Sequence, residues 1–255
     1  MQWDPQQYLS FSDHRLRPAV DLLGRVPAAE PRLVYDLGCG AGNVSAVLRQ
    51  RWPAARIRGI DSSPQMLERA RAALPSVEFE LADLGGWRPE APPDLIYSNA
   101  ALHWLPGHDE LFPRLFASLA DGGVLAVQMP RNFAAPSHTN IRATIIDGPW
   151  RDRLLPLWRD TPVGGPADYH RLLTADATFL DIFEIEYLQR LTGVDPVKEW
   201  TKGTWLKPFL EALPEGEGAA FEAAYAERLR EAYPLEEDGS TLFPFRRLFI
   251  VAIKA

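Results

Sequence analysis

The chain has 255 residues, a formal net charge of −7 at pH 7 and a single cysteine, Cys39. The acidic balance argues against nucleic acid as a partner, because proteins that bind it usually present a basic face. One cysteine cannot form an internal disulfide, and no Cys/His cluster has metal-ligand spacing, so we expect no metal. The sequence shows no signal-peptide pattern and no apolar run long enough to cross a membrane, which predicts a cytoplasmic protein without a membrane partner.

The first half of the chain alternates short apolar runs with helical patterns. Strands are predicted over residues 32–37, 56–61, 77–83, 94–100 and 123–129. The intervening helices are indicated by apolar positions at helical spacing: Val44, Val47, Leu48 and Trp52; then Met66, Leu67, Ala70, Ala73 and Leu74; then Leu111, Phe112, Leu115, Phe116 and Leu119. Ser63 before Pro64 is a good helix start. Such alternation is typical of an α/β fold with a doubly wound parallel sheet.

The second half adds two strands and two longer helical segments. Residues 182–191 and 246–254 read as strands, and a helical pattern over 12–26 precedes the first strand. The segments of about 130–181 and 192–241 are rich in proline, tryptophan and helical patterning, so we interpret them as insertions that either pack on the periphery or cover a substrate as a lid. Because no linker or repeat is visible, we expect one decorated domain over residues 1–255, with its core at about 32–130 plus the two late strands.

Residues 33–42, LVYDLGCGAG, join the first predicted strand to a helix through Gly38, Gly40 and Gly42. Such a turn lets the backbone approach a ligand closely. The spacing is G-x-G-x-G, whereas dinucleotide sites use G-x-G-x-x-G, and a P-loop lysine is absent. Asp36, directly before the loop, would oppose a phosphate at the helix amino end. The pattern therefore favours a phosphate-free, cationic cofactor with an adenosine, and S-adenosylmethionine is such a ligand.

Two further carboxylates end the next two predicted strands. Asp61 lies about 20 residues after the loop, where a carboxylate can accept hydrogen bonds from both ribose hydroxyls. Asp83 can accept from the exocyclic amine of adenine. A single strand-end aspartate is more often a turn former, but three at successive strand ends around one glycine loop predict an adenosine site.

These motifs, YDLGCGAG, GIDSSPQML, ADL and SNAALHWLPG, resemble the ordered motifs of class I S-adenosylmethionine-dependent methyltransferases. The resemblance implies a seven-stranded sheet of order 3-2-1-4-5-7-6 with strand 7 antiparallel. It also implies that Asp36 and the Gly38–Gly40 backbone hold the methionine moiety, Asp61 the ribose, Asp83 with Leu84 the adenine, and that Asn99 lines the floor. The cofactor candidates are Asp36, Gly38, Cys39, Gly40, Asp61, Ser62, Met66, Asp83, Leu84 and Asn99.

Longer stretches, nearly end to end, resemble a branch of this family whose acceptor is a small polycarboxylate. A carboxylate is already ionised at neutral pH, so its methylation needs no general base, although His103 could act as one for a hydroxyl or amine acceptor. Candidate substrate contacts lie where we expect the chain to converge above the cofactor: Tyr8, Arg15, Arg17, His103, Trp104, Gln128, Arg131, Asn132, Tyr169, Arg246 and Arg247. Each has an alternative interpretation as a cap, a packing residue or a solvated charge.

Three other functions compete with this interpretation. The first is a methyltransferase for another small acid, a carrier-bound carboxyl, or a phenolic or quinone-like acceptor. The second is a non-catalytic protein that binds S-adenosylmethionine and acts through a partner. The third, a nicotinamide dehydrogenase, is disfavoured by the loop spacing and by Asp36. The sequence leaves the oligomeric state open.

Overall fold

The computed structural model of the protein describes residues 16–28, 30–214 and 216–255. The strands are β1 (Leu33–Leu37), β2 (Arg56–Asp61), β3 (Glu78–Leu81), β4 (Leu95–Asn99), β5 (Val124–Pro130), β6 (Ala177–Leu191) and β7 (Thr241–Lys254). The helices are α1 (Arg17–Leu23), α2 (Asn43–Arg51), α3 (Pro64–Ala73), α4 (His108–Ala117), α5 (Pro136–Asp147), α6 (Arg151–Leu154), α7 (Pro166–Leu173), α8 (Pro196–Lys202), α9 (Lys207–Glu211) and α10 (Glu217–Ala232). No helix in these ranges is long and apolar enough to cross a membrane.

The seven strands form one sheet of order β3-β2-β1-β4-β5-β7-β6. Strands β1 to β5 pair in parallel. β7 runs against β5, since the amide of Lys254 donates to the carbonyl of Gly123, whereas that of Arg131 donates to Arg246, eight residues earlier in β7. The predicted α/β class, strand order and antiparallel seventh strand are therefore confirmed.

Burial explains most of these elements. β4 and β5 are continuous buried runs, as expected for central strands covered on both faces. All five apolar positions predicted for the helix after β4 are buried. In α3 the side chain of Ser63 caps the amide of Met66 at 3.3 Å, as predicted. The predicted apolar stripe of α3 is wrong at Met66 and Ala73, which are exposed, because this helix buries only Leu67 and Ala70.

Both late strands begin five residues earlier than predicted. Residues 241–245 of β7 alternate between buried and half-buried positions, with Phe243 and Phe245 inside. Pro244 lies within this stretch, and because a proline argues against a strand, the alternation is concealed in the sequence. Residues 177–181, at the start of β6, are exposed or half-buried, so they carry no apolar pattern. They are held by contacts with β7, such as the hydrogen bond from Thr178 Oγ1 to the carbonyl of Ile253 at 3.3 Å.

The chain forms two compact units, one of residues 1–129, 162–185 and 247–255, and one of residues 130–161 and 186–246. The first contains the parallel part of the sheet. The second has its own core, made mainly of aromatic and branched side chains in and beside α5, α6, α8, α9 and α10 and at the start of β7: Ile141, Ile145, Trp150, Leu154, Val197, Leu206, Phe209, Phe221, Tyr225, Leu229, Tyr233, Phe243 and Phe245. The helices supply most of this core, and the start of β7 supplies Phe243 and Phe245.

A histidine is buried in the second unit. The ring of His138 lies 5.2 Å from that of Phe133 and 5.9 Å from that of Trp205, and its Nδ1 is 3.0 Å from Ser137 Oγ. Burial lowers the pKa of His138 to about 4. The ring is therefore neutral in the folded protein over the pH range in which an unfolded chain would protonate it.

We expect His138→Gln to reduce the loss of stability in acid. Because the folded pKa lies below the unfolded value, His138 lowers the free energy of unfolding as pH falls from 6.5 to about 4, a loss of roughly 3 kcal/mol. Denaturant unfolding of both proteins at several pH values should show the difference between them changing over that window. His170→Gln, at an exposed position of α7, is the control. Parallel curves for wild type and His138→Gln would contradict the assignment.

Candidate active site

The loop between β1 and α2 contains three glycines in the left-handed region. Their φ angles are 73° at Gly38, 53° at Gly40 and 86° at Gly42. The amides of Gly38 and Cys39 both donate to the carbonyl of Ile60, at 2.8 and 3.1 Å. The loop is therefore held against the carboxyl end of β2 in a conformation that side chains with a Cβ rarely adopt.

The three glycines have different surroundings. A Cβ on Gly38 would lie 2.1 Å from the Cβ of Ala101, and one on Gly42 would lie 3.2 Å from Leu74 Cδ1. A Cβ on Gly40 would meet nothing within 4 Å among the described residues. Gly38 and Gly42 thus permit packing within the protein, whereas Gly40 borders open space in which a ligand can approach the backbone.

Asp61 uses both of its carboxylate oxygens to hold the loop. Oδ2 accepts from the amide of Gly40 at 2.8 Å, and Oδ1 accepts from the amide of Ser63 at 2.8 Å. Each carboxylate oxygen can accept more than one hydrogen bond. The half-buried carboxylate of Asp61 therefore retains the capacity to accept from a hydroxyl pair.

Asp36 lies beneath the loop, at the end of β1. Its side chain is 1% exposed and accepts a hydrogen bond from Ser45 Oγ of α2 at 2.6 Å. Burial raises the pKa of Asp36 to about 7; the hydrogen bond from Ser45 opposes this shift, and the nearby charge of Asp61 adds to it. A cation above the loop would favour the ionised form.

The strand register aligns these polar groups on one face of the sheet. Asp36 pairs with the positions two residues before Asp61 and Asn99, and Asn99 itself pairs with Gln128. Side chains at paired positions, and at positions two residues apart, point to the same side. The carboxyl ends of β1, β2, β4 and β5 therefore bring Asp36, Asp61, Asn99 and Gln128 to one face.

Asn99 is distinguished by an unpaired acceptor. Its Oδ1 is buried and has no hydrogen-bond partner among the described residues. The next residue, Ala100, has φ 55°, one of two positive φ values at described non-glycine positions. Such strain outside glycine is concentrated at functional sites, and a buried polar atom without a partner indicates a missing donor.

The remaining cofactor candidates are arranged around the loop. Asp83 is exposed beyond β3, where its Oδ1 accepts from the amide of Gly85 at 3.0 Å, and Leu84 is 9% exposed. Ser62 and Met66 are exposed at the start of α3. Cys39 is 5% exposed, and burial, the largest cause, raises the pKa of its thiol, so it stays protonated. These five keep their sequence-based roles as predictions.

Gln128 and Arg247 form a buried pair on the same sheet face. Gln128 is 0% and Arg247 5% exposed, and Arg247 Nη1 donates to Gln128 Oε1 at 3.4 Å. His103 and Trp104 occupy a 3-10 turn after β4, with ring centroids 4.6 Å apart. His103 is buried and Trp104 is exposed.

Other substrate candidates make contacts of a structural kind. Tyr169 is 1% exposed, and its hydroxyl lies 2.6 Å from His108 Nδ1. In the second unit, Asn132 donates to Ser137 Oγ at 3.2 Å and accepts from the amide of Arg246 at 3.3 Å. These side chains already have partners, so their proposed substrate roles stay predictions.

The charged candidates lie nearer the surface. Arg17 begins α1, 3.8 Å from Asp21, and Arg246 is exposed, 3.4 Å from Glu186. Arg131 is half-buried in the second unit. Tyr8 and Arg15 lie outside the described residues.

Several residues that shape this site were missed by the sequence reasoning. Ser45, which partners Asp36, lies within an ordinary helical pattern and carried no signal. Ala101 must be small because it faces Gly38. His108 bridges the turn that carries His103, with its Nε2 3.0 Å from the carbonyl of Leu102 and its Nδ1 bonded to Tyr169. Of these residues only Ala101 has a local signal in the sequence, because Ala100 and Ala101 are small residues directly after a strand.

The arrangement fits S-adenosylmethionine. The polar groups around Gly40 are acceptors, namely the carboxylates of Asp36 and Asp61 and the unpaired Oδ1 of Asn99, and this ligand offers ribose hydroxyls, an ammonium and a sulfonium as their counterparts. Open space at Gly40 gives room for it. Among the described residues, no group of three or more His, Cys, Asp or Glu side chains could hold a metal ion.

Comparison with known proteins agrees with the geometry. A family model described as a methyltransferase domain matches residues 34–123. A solved structure, the YcgJ protein from Bacillus subtilis, covers 93% of this chain and 97% of its own with a TM-score of 0.61, at 14% sequence identity. At that identity the likeness concerns the fold.

Two curated relatives match almost from end to end. The trans-aconitate 2-methyltransferase of Azoarcus sp. strain BH72 is 49% identical over 252 residues, which cover 99% of each chain. That of Streptomyces avermitilis is 49% identical over 261 residues, covering 99% of this chain and 97% of the relative. The protein therefore belongs to the trans-aconitate 2-methyltransferase family of S-adenosylmethionine-dependent methyltransferases.

Proposed function

We propose that the protein transfers the methyl group of S-adenosylmethionine to a carboxylate of trans-aconitate, giving the monomethyl ester and S-adenosylhomocysteine. The observation that carries the proposal is the identity of 49% with curated relatives over 99% of this chain. It extends well past the methyltransferase model at residues 34–123, into the segments that distinguish acceptors within such a fold.

The cofactor would be held by the face at the carboxyl ends of the parallel strands. Asp61 accepts from the ribose hydroxyls while its bonds to Gly40 and Ser63 fix its orientation. Asn99 Oδ1 accepts from the methionine ammonium, which supplies its missing donor. Asp36 is buried behind the loop, so it contributes its negative charge to the cationic end of the ligand.

Methylation of a carboxylate requires little of the protein beyond positioning. Bound S-adenosylmethionine supplies an electrophilic methyl group on a sulfonium. A carboxylate oxygen forms the new O–C bond as the C–S bond breaks, and because the acceptor is ionised at pH 7 no proton has to be removed. The catalytic contribution of the chain is then alignment and charge compensation. The buried His103 is not needed as a base for this reaction.

The proposal also covers the location of the protein, its partners and its domain organisation. We place it in the cytoplasm, in keeping with one buried, unpaired thiol at Cys39. The net charge of −7 disfavours nucleic acid as a partner. We further propose that both compact units belong to one functional domain. A substrate-covering role for the helical insertions stays a prediction.

The acceptor is tested by measuring S-adenosylhomocysteine formation with trans-aconitate, other small polycarboxylic acids, monocarboxylic acids and phenols. We expect turnover with trans-aconitate and a product whose mass increases by one methyl group and whose ester is hydrolysed by base. No turnover with trans-aconitate beside good turnover of another compound would overturn the choice of acceptor. Binding of S-adenosylhomocysteine without turnover of any acceptor would instead favour the non-catalytic alternative.

Removal of the Asp61 carboxylate should weaken the cofactor site. Hydrogen bonds to a charged group contribute about 1.5–3 kcal/mol, so we expect Asp61→Ala to weaken S-adenosylhomocysteine binding by about 10- to 150-fold. Calorimetric titration measures this directly. Glu68→Ala, at an exposed position of α3, should bind like wild type. Equal affinities for wild type and Asp61→Ala would remove Asp61 from the site.

The charge of Asp36 should make cofactor binding dependent on pH. Because the pKa of Asp36 is about 7 in the free protein, a cationic ligand must displace a proton below that pH, and its affinity should fall as pH decreases from 7.5 to 5.5. Titration of wild type with S-adenosylmethionine, in the absence of an acceptor, should show this fall, and Asp36→Asn should flatten it.

Ser45→Ala sharpens the same test. The Ser45 hydrogen bond lowers the Asp36 pKa, so its removal should move the pH dependence to higher pH without abolishing it. The same flat pH profile for wild type and both variants would show that Asp36 does not act on the ligand.

A further inference from the structure

One polar pair on the sheet face is not used by the cofactor. Gln128 lies near the end of the buried part of β5 and Arg247 lies on β7, which neighbours β5 in the sheet. Both side chains belong to the first compact unit, and both are at least nine-tenths buried, at 0% and 5% exposure. Arg247 therefore places a positive charge beside Gln128 on this face of the sheet.

The hydrogen bond between the two side chains fixes the amide of Gln128. A guanidinium only donates hydrogen bonds, so the atom of Gln128 that faces Arg247 Nη1, at 3.4 Å, must be the amide oxygen. The amide nitrogen is therefore turned away from Arg247. That Nε2 is buried and has no hydrogen-bond partner within the described part of the chain.

The pair thus presents an unsatisfied donor beside a cation. Nearly all buried polar groups in proteins have partners, so an orphaned N–H₂ next to a guanidinium indicates a ligand with acceptor oxygens. A carboxylate fits this position, since it can accept from the amide of Gln128 and from a neighbouring guanidinium at the same time. Asn99 lies opposite Gln128 in the register of β4 and β5. Its buried Oδ1 is an acceptor without a hydrogen-bond partner among the described residues. Acceptor and donor side chains thus lie side by side, at β4 and β5.

We propose that Gln128 and Arg247 form a subsite for a carboxylate of the acceptor that does not react. Donation from a guanidinium draws electron density from a carboxylate and makes its oxygen a poorer nucleophile, so the carboxylate held here is a spectator. The subsite orients the acceptor and requires it to carry at least two carboxylates. The inference rests on the proposed function and specifies how its substrate is selected.

Three dicarboxylic acids make the test specific. Mesaconate, cis-glutaconate and itaconate each correspond to trans-aconitate with a different carboxylate removed. Calorimetry on the protein saturated with S-adenosylhomocysteine gives the Kd of each acid without requiring turnover. Arg247→Met should weaken trans-aconitate binding by about 10- to 150-fold, the range for hydrogen bonds to a charged group. For one of the three acids the Kd should change less than twofold, because that acid lacks the carboxylate held by the subsite.

Further variants separate the subsite from a general loss of structure. Gln128→Leu should spare the same single acid, and Arg247→Lys should recover part of the affinity for trans-aconitate. S-adenosylhomocysteine should bind each variant as it binds wild type, which shows that the fold is intact. Arg190→Met removes an exposed arginine that pairs with Asp238 at 2.8 Å, and it should leave every Kd within twofold.

The outcomes distinguish the two levels of the proposal. Equal loss of affinity for all three dicarboxylates in Arg247→Met, or no loss for trans-aconitate, would overturn the subsite while leaving the proposed function intact. In steady-state kinetics Arg247→Met, which removes a contact to a spectator group, should raise KM for trans-aconitate more than it lowers kcat. Wild-type protein that neither binds nor methylates trans-aconitate would overturn the proposed function itself.

Discussion

The site depends on one carboxylate that connects two strands. Asp61, the last residue of β2, receives the amide of Gly40 from the loop after β1 and the amide of Ser63 from the start of α3. The same strand end accepts the amides of Gly38 and Cys39 through the carbonyl of Ile60. Together these bonds hold a left-handed glycine loop open at Gly40. Without them, the loop would have no fixed position relative to the carboxylate that is proposed to bind the ribose.

The polar residues of the first unit divide into two groups according to whether their partners lie within the chain. The network of Leu102, His108 and Tyr169 is complete, and it holds the turn that carries His103 in place after β4. Asn99 and Gln128, by contrast, each have one buried atom without a hydrogen-bond partner among the described residues. Because an unsatisfied buried group is costly, such atoms on the face at the carboxyl ends of the parallel strands indicate places where a ligand completes the bonding. This distinction separates candidates that composition and position had treated alike.

Much of the fold could be predicted because its signals are local. β1, β4 and β5 contain short apolar runs, and Ser63 with Pro64 marks a helix start whatever surrounds it. The extensions of β6 and β7 could not be predicted, because pairing with a neighbouring strand, as between Thr178 and Ile253 near the end of β7, defines their early residues as strands more than an apolar pattern of their own does. Met66 shows the same limit in α3, where a residue at helical spacing is exposed because no element covers it.

The sequence by itself determined the class of ligand, because glycine spacing and the position of Asp36 report directly on backbone shape and charge at one loop. Only the tertiary structure decided which polar residues share one face of the sheet. Asn99, Gln128 and Arg247 come from three strands far apart in the chain, and strand register, a property of pairing rather than of any segment, brings them to one face. Likewise Ser45 acquires its partner Asp36 only when α2 packs on the end of β1. Hydrogen-bond satisfaction depends on such long-range proximity, and a local pattern cannot encode it.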